Sequence, residues 1–301
     1  MTFPSIVLLF LSAVIGGALN AVAGGGSFFT FPALAFSGVP SVPANATSTL
    51  ALWPASLASA GAYRKVLLDQ DRTLLILLCI TSLVGGVLGA ILLIKTPSKI
   101  FQVLLPYLLL FATLLFTFSP MITTRLRKRR LEKEALTPEH PLPQELAGEA
   151  STPEHPLPQE LAGEASTPEH PVQRGPGKEA LTPGRLVWMC AIQLIISIYG
   201  GYFGGGIGIM MLASLAMMGL EEMHVMNAIK NVLASFINGI AIVTFIVYRI
   251  IYWPQALIMI VGSIVGGYGS ALYTRKIASK YIRAFVIIVG FSMAVIFFFR
   301  A

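Results

Sequence analysis

The sequence AGGGSFFTFPALAF, residues 23–36, is the stretch from which the fold is predicted. Three consecutive glycines interrupt an apolar region there, and a short apolar segment, 27–36, follows them. The sequence GGGIGIMMLASLAMM, residues 204–218, repeats this arrangement 180 positions later. Neither short segment can cross a bilayer core of about 30 Å, because a crossing takes about 20 apolar residues. The pattern predicts a helix that breaks at each glycine triplet and resumes as a half-helix.

The overall composition indicates the class of protein. Of the 301 residues, 55% are hydrophobic and 12% are charged, whereas soluble domains are about 45–50% apolar and about 25% charged. A chain with so little polar surface cannot cover a globule that faces water on all sides. We therefore predict an all-α polytopic membrane protein. Cys79 and Cys190 both lie in apolar stretches, which favours small buried side chains over a disulfide or metal site.

Eight apolar segments have about the length needed to span a membrane. They are residues 4–19, 43–63, 73–94, 98–121, 186–202, 223–248, 253–273 and 282–299. Between the two groups of four, a Pro- and Glu-containing unit begins at Thr137 and recurs at Thr152, with few apolar side chains. Such a segment cannot bury a core, so we predict a disordered linker. The predicted domains are a first transmembrane repeat, 1–122, the linker, 123–184, and a second transmembrane repeat, 185–301.

The two apolar halves show the signs of an internal duplication. A shift of 182 places Asn45-Ala46 on Asn227-Ala228, close to the shift that aligns the glycine triplets. If each triplet lies in a re-entrant helical hairpin, each half crosses three times and the second half is inverted. The basic cluster Arg125 to Arg130 and most other loop cations then lie inside, as the positive-inside rule favours. We predict two inverted repeats in the cell membrane, each with a glycine-broken hairpin and three spanning helices, and a cytoplasmic linker and basic cluster.

Charge inside the membrane segments is confined to one residue. Among 21 Lys and Arg residues, Lys230 alone lies about two turns inside an apolar segment. No Asp or Glu occurs in the apolar segments, and a charged side chain at the centre of a bilayer costs about 2.5–3.5 kcal/mol on insertion scales. A bound anion is the compensation we favour. The alternative is that Lys230 extends its ammonium to the nearby interface.

Glycine breaks and polar side chains supply neutral donors around this cation. A half-helix that begins at a glycine break presents unpaired N–H groups and partial positive charge, which bind anions. Amides and hydroxyls occur near both breaks, and Asn238 adds a further amide. The predicted substrate site is Asn20, Gly25, Gly26, Ser27, Asn45, Ser48, Thr49, Gly205, Gly206, Asn227, Lys230 and Asn231. The alternatives are that the glycines serve close helix packing and that the hydroxyls bond their own helices.

Several function classes are excluded by what the sequence contains. An intramembrane enzyme needs a nucleophile with a base, or a metal cluster, and the apolar segments offer no carboxylate. Neither glycine triplet has the Lys-Ser/Thr of a nucleotide-binding loop, and the basic residues do not form a nucleic-acid surface. We predict a secondary carrier of a small anion, without a cofactor. A passive anion channel and a scaffold that docks through its linker are the alternatives.

The sequence contains less information about the coupling ion and the oligomeric state of the protein. His224 follows two glutamates at a helix start, where it either couples transport to a proton or caps the helix. The coupling ion, H⁺ or Na⁺, and a homo-oligomeric state are left open. The lipid bilayer and a small anionic substrate are the partners that the sequence predicts.

The residues around both breaks resemble those of a known family. Asn20-Ala-Val-Ala-Gly-Gly-Gly-Ser27, Phe31-Pro-Ala-Leu34 and Ala44-Asn-Ala-Thr-Ser48 in the first half, with Asn227-Ala-Ile-Lys-Asn231 in the second, are similar to the TauE/SafE sulfite exporters. The resemblance covers both hydrophobic halves and excludes the linker. It implies a membrane transporter, and export of a small sulfur-containing or organic anion such as sulfite, sulfoacetate or another sulfonate.

Overall fold

The chain folds into ten helices in the part that a computed structural model describes, which is residues 2–22, 25–62, 66–67, 70–135, 183–218, 220, 222–273 and 279–300. Every regular element in those ranges is helical, which confirms the all-α prediction. The helices are α1 (Phe3–Val22), α2 (Ser27–Phe36), α3 (Ser41–Ala62), α4 (Arg72–Lys95), α5 (Ser98–Ala135), α6 (Pro183–Tyr202), α7 (Ile207–Met217), α8 (Met223–Val247), α9 (Trp253–Tyr273) and α10 (Ser279–Arg300).

Four stretches of these helices have the length and apolar composition to cross a membrane, namely Phe3–Asn20, Arg72–Lys95, Ser98–Leu115 and Val225–Val247. Shorter apolar stretches occur in α2, α6, α7 and α10. The helix α3 is not among the candidate spans of the described residues, because the Asn45 amide and four hydroxyls between Thr47 and Ser56 lower its hydropathy. These polar groups are the ones from which a site inside the membrane can be built.

The glycine triplets separate consecutive helices in both halves. The helix α1 ends at Val22 and α2 begins at Ser27, while α6 ends at Tyr202 and α7 begins at Ile207. The repetitive part of the predicted linker lies outside the described residues. The backbone of α5 continues as helix to Ala135, past the predicted linker start at 123, because residues 125–135 are rich in the good helix formers Leu, Arg, Lys and Glu.

The two halves, α1–α5 and α6–α10, pack through reciprocal pairs of helices. The helices α1 and α3 of the first half pack against α9 of the second half. The helices α6 and α8 of the second half likewise pack against α4 of the first half. The helices α3 and α8 also contact each other. Each half therefore completes its packing with helices of the other. The inverted orientation of the halves relative to a membrane stays a prediction.

Glycines allow the closest of these pairings. Both α4 and α9 carry a G-x-x-x-G pattern, at Gly85 and Gly89 and at Gly262 and Gly266. A Cβ atom on Gly89 would overlap the backbone of α6 at the Ile198 carbonyl, and one on Gly266 would overlap the Val14 carbonyl of α1. Small residues at this spacing let two helix backbones meet inside a membrane, where packing rather than hydrophobic burial drives association.

Adding one methyl group at Gly266 tests this packing. We expect Gly266→Ala to lower the free energy of unfolding by about 1–3 kcal/mol, because the new Cβ overpacks the contact with α1. The matched control is Gly269→Ala on the same helix, where no described heavy atom lies within 4 Å of the Cβ position. Unfolding of the purified proteins in detergent measures both. Equal stability of the two variants would contradict the close approach.

Candidate functional site

A cavity of about 60 Å³ lies where α3 and α8 pass each other, beside both helix breaks. Both halves of the chain line it. The lining residues are Asn20, Ser27, Thr49, Leu52, Ser56, Phe203, Gly204, Ile207, Gly208, Lys230, Asn231, Ala234 and Asn238. Five residues of the substrate site predicted from the sequence meet there, namely Asn20, Ser27, Thr49, Lys230 and Asn231.

The cavity walls on α3 and α8 are built from corresponding positions. Three pairs of lining residues differ by 182 positions: Thr49 and Asn231, Leu52 and Ala234, and Ser56 and Asn238. A hydrogen bond between the two helices also joins residues 182 positions apart, because Nε1 of Trp53 donates to the Ser235 carbonyl at 3.0 Å. In return, the Ser235 hydroxyl donates to the Ser56 carbonyl at 3.3 Å. These two hydrogen bonds hold α3 and α8 beside the cavity.

Lys230 brings the charge to this cavity. Its Nζ donates to Oδ1 of Asn227 at 3.2 Å, and its aliphatic chain passes Gly208, where a Cβ would lie 3.5 Å from Cδ. The Asn227 amide is neutral, so this hydrogen bond occupies one N–H without balancing the charge. An ammonium has three donors, which leaves N–H groups for a further acceptor. The geometry keeps Lys230 beside the cavity wall that α7 forms.

Polar side chains that have no hydrogen-bond partner among the described residues line the same cavity as Lys230. The carboxamides of Asn231 and Asn238 and the hydroxyl of Ser27 make no hydrogen bond to the described part of the chain. Asn20 and Thr49 are already engaged, because Nδ2 of Asn20 donates to the Ser56 hydroxyl at 2.9 Å and Thr49 donates to the Asn45 carbonyl at 2.9 Å. The cavity therefore offers one cation and at least three uncommitted polar side chains.

Both half-helices begin at the cavity, since Ser27 opens α2 and Ile207 opens α7. Gly204 and Gly206 have positive φ angles of 78° and 77°, a conformation that glycine adopts without steric cost. A helix N-terminus stabilises a nearby anion by about 0.3–1 kcal/mol, which is small against the several kcal/mol per ion of burying an unpaired charge. Lys230 thus dominates the electrostatics of the site.

The other predicted residues serve different contacts. Asn45 is 2% exposed, and its Nδ2 donates to the Tyr202 carbonyl at 3.0 Å, which ties α3 to the end of α6. The Ser48 hydroxyl pairs with that of Thr30 at 2.6 Å. The structure brings neither side chain to the cavity. Asn227 is not among the lining residues, and its Oδ1 accepts the hydrogen bond from Lys230.

The four break glycines of the predicted site, Gly25, Gly26, Gly205 and Gly206, are not among the lining residues. A Cβ on Gly26 would overlap the Gly16 carbonyl, and the Gly205 carbonyl accepts a hydrogen bond from the Tyr199 hydroxyl at 2.7 Å. Gly25 and Gly206 are buried but do not line the cavity. His224 belongs to the first turn of α8, and its side chain lies outside the described part of the structure.

Sequence reasoning missed part of the lining. The main polar residue that it did not single out is Ser56, and the shift of 182 that relates Asn45 to Asn227 would have found it from Asn238. Leu52, Phe203, Ile207 and Ala234 carry no polar signal that marks them. Within the described ranges, no group of three or more His, Cys, Asp or Glu side chains forms a metal site.

Asn45 and Asn238 differ in their hydrogen bonding, and this difference predicts different effects on stability when each is replaced. We expect Asn45→Ala to lower the free energy of unfolding by about 1–3 kcal/mol, since it leaves the Tyr202 carbonyl without its side-chain donor. Asn238→Ala is the matched control, and it should change the stability by no more than about 0.5 kcal/mol because no described group depends on it. Unfolding of both variants in detergent provides the measurement. A larger loss at Asn238 would reverse the assignment.

Comparison with known proteins relates this chain to a family of transporters. The family described as sulfite exporter TauE/SafE matches residues 9–297. A probable membrane transporter protein of Haemophilus influenzae is 26% identical over 296 residues, which cover 96% of this chain and 92% of that protein. No solved structure shows a significant match to the chain.

Shorter similarities extend over part of the chain. The probable membrane transporter protein ORF9 of Sinorhizobium is 30% identical over 40% of this chain and 46% of its own length. The probable membrane transporter protein YfcA of Escherichia coli K12 is 32% identical over 41% of this chain and 46% of its own length. Because the family match spans almost the whole sequence, the chain belongs to the sulfite exporter TauE/SafE family and is an integral membrane transporter.

Proposed function

We propose that the protein is a secondary carrier that exports a small sulfur-containing or organic anion, such as sulfite, sulfoacetate or another sulfonate. The observation that carries this proposal is the cavity beside both helix breaks, which Lys230 lines together with the uncommitted donors of Asn231, Asn238 and Ser27. The description of the family as sulfite exporters supports the chemical class of the substrate.

The chemistry of the lining suits an oxyanion. The ammonium of Lys230 supplies the counter-charge, and hydrogen bonds to a charged partner are stronger than those between neutral groups. Amides and a hydroxyl then donate to the several oxygens that a sulfite or sulfonate group presents. A volume of about 60 Å³ holds roughly four to six water-sized groups at 10–15 Å³ each. That space suits sulfite, which has four non-hydrogen atoms, whereas sulfoacetate, which has eight, requires the cavity to widen.

The way the cavity is built supports a mechanism of alternating access. Its walls come from both halves of the chain, so a movement of one half against the other opens it to one side of the membrane at a time. In this proposal the linker and the basic cluster of residues 125–130 lie in the cytoplasm, and the carrier sits in the cell membrane. His224 is the candidate for coupling to H⁺, Na⁺ is the alternative coupling ion, and the carrier either acts alone or forms a homo-oligomer.

Loss of the counter-charge tests the proposal. In proteoliposomes, the full-length protein should exchange radiolabelled sulfite by saturable counterflow. We expect Lys230→Gln to reduce the initial rate by about tenfold or more, since removing one partner of a buried charged pair costs about 2–5 kcal/mol. Lys95→Gln removes the same charge at the end of α4, away from the cavity, and should retain the rate of the unaltered protein.

Other results would favour other functions. Counterflow that is equal in Lys230→Gln and the unaltered protein would remove Lys230 from the site. Single-channel currents without counterflow would favour a passive anion channel. Deletion of residues 136–177 should leave transport intact, and a loss of function with that deletion would favour a scaffold that docks through the linker.

A further inference from the structure

We propose that Tyr199 is a positioning residue for the substrate site. Its hydroxyl holds the Gly205 carbonyl, and this leaves the backbone N–H of Gly208 available to bind an oxygen of the anion. The inference rests on the proposed function, because it adds a positioning residue and a backbone donor to the same site. The observation that carries it is a difference in hydrogen bonding between the two helix breaks.

In the first break, the backbone enters α2 with its first donor already paired. Gly26 has φ −59° and ψ −33°, which are helical angles. The Phe28 N–H donates to the Gly25 carbonyl at 3.3 Å. This N–H is therefore committed to the start of its own helix, and Phe28 is not among the residues that line the cavity.

The second break has a different pairing at the corresponding positions. The shift of 180 that aligns the glycine triplets places Phe28 on Gly208. Gly206 has a positive φ of 77°, and the Gly205 carbonyl accepts a hydrogen bond from the Tyr199 hydroxyl at 2.7 Å. The Gly208 N–H makes no hydrogen bond to the described part of the chain. Tyr199 thus takes the acceptor that the corresponding N–H uses in the first break.

Aromatic contacts hold the Tyr199 ring in place for this hydrogen bond. The ring packs edge-on against Phe111 of α5 and against Phe203, with centroid distances of 5.8 and 6.3 Å. The Phe203 ring covers Gly205, since a Cβ there would overlap it. The first half has Leu19 at the position that corresponds to Tyr199, and leucine cannot donate a hydrogen bond. The pairing therefore belongs to the second break alone.

The unpaired N–H of Gly208 lies beside the charge that the anion is expected to meet. Gly208 is buried and lines the cavity, and a Cβ there would lie 3.5 Å from Cδ of Lys230. The N–H belongs to the first turn of α7, where backbone donors have no partner within the helix. A buried N–H without a partner is unfavourable. An anion paired with Lys230 supplies the missing acceptor and gains a hydrogen bond to its charged oxygen.

Removal of one hydroxyl tests this arrangement. Tyr199→Phe keeps the aromatic ring and frees the Gly205 carbonyl to pair with the Gly208 N–H, as Gly25 pairs with Phe28 in the first break. We expect sulfite to bind about tenfold more weakly, since hydrogen bonds to charged groups are the stronger ones. Calorimetric titration of the purified full-length protein gives the affinity.

Tyr202→Phe is the matched control. Tyr202 lies on the same helix, and its hydroxyl makes no hydrogen bond to the described residues. Its side chain does not line the cavity. This variant should bind sulfite as tightly as the unaltered protein.

A spectroscopic readout separates positioning from a general loss of structure. Isoleucine labelled with ¹³C at the carbonyl and glycine labelled with ¹⁵N mark the peptides Ile15–Gly16 and Ile207–Gly208, and the signal lost in Gly208→Ala assigns the second. We expect saturating sulfite to shift the Gly208 amide signal and to leave that of Gly16, inside α1, unmoved. Tyr199→Phe at saturation should show a smaller shift of the Gly208 signal.

The outcomes distinguish this inference from the proposed function. If Tyr199→Phe binds sulfite as tightly as the unaltered protein, or if Tyr202→Phe loses as much affinity, the inference is wrong while the carrier proposal stands. A Gly208 signal that saturating sulfite does not move would also overturn it, and that measurement uses the unaltered protein, whatever the folding of the Tyr199 variant. If sulfite does not bind to the unaltered protein, the proposed function and the inference fail together.

Discussion

Direct contact between helix backbones is the constraint on which the rest of this structure depends. The helix α1 meets α9 at Gly266, and α6 meets α4 at Gly89, with no room for a side chain at either glycine. Each of these contacts joins one half of the chain to the other. They leave α3 and α8 packed against the fourth helix of the opposite half and against each other. The cavity is therefore a product of how the halves are joined.

The uncompensated charge of Lys230 gives the cavity its attraction for an anion. An isolated ammonium inside a membrane is unfavourable, and Lys230 has a neutral amide as its hydrogen-bonding partner, at 3.2 Å. Uncommitted donors on α2 and α8 line the same cavity, but they supply no negative charge. A bound anion neutralises the positive charge of Lys230. The same uncompensated charge that is unfavourable without a ligand therefore favours the binding of an anion.

Helical periodicity explains why the sequence located only part of the site. Thr49, Leu52 and Ser56 lie on one face of α3, at the spacing that places side chains above one another along a helix. Ser48 adjoins Thr49 in the sequence but points to Thr30 instead. Asn45 lies one turn from Thr49 and bonds to Tyr202, 157 positions away. Polarity marked Asn45, Ser48 and Thr49 as candidates, whereas their hydrogen-bond partners depend on how the segments pack.

The sequence by itself determined the membrane class, the two helix breaks and the presence of one intramembrane cation without a carboxylate. These features follow from composition, from local backbone preference and from the order of residues along a single segment. Only the tertiary structure decided which faces of α3 and α8 line the cavity, that Asn45 supports the end of α6, and that Asn231, Asn238 and Ser27 are left uncommitted. The physical reason is that a hydrogen bond between helices depends on how whole helices pack, and local sequence carries no record of that packing.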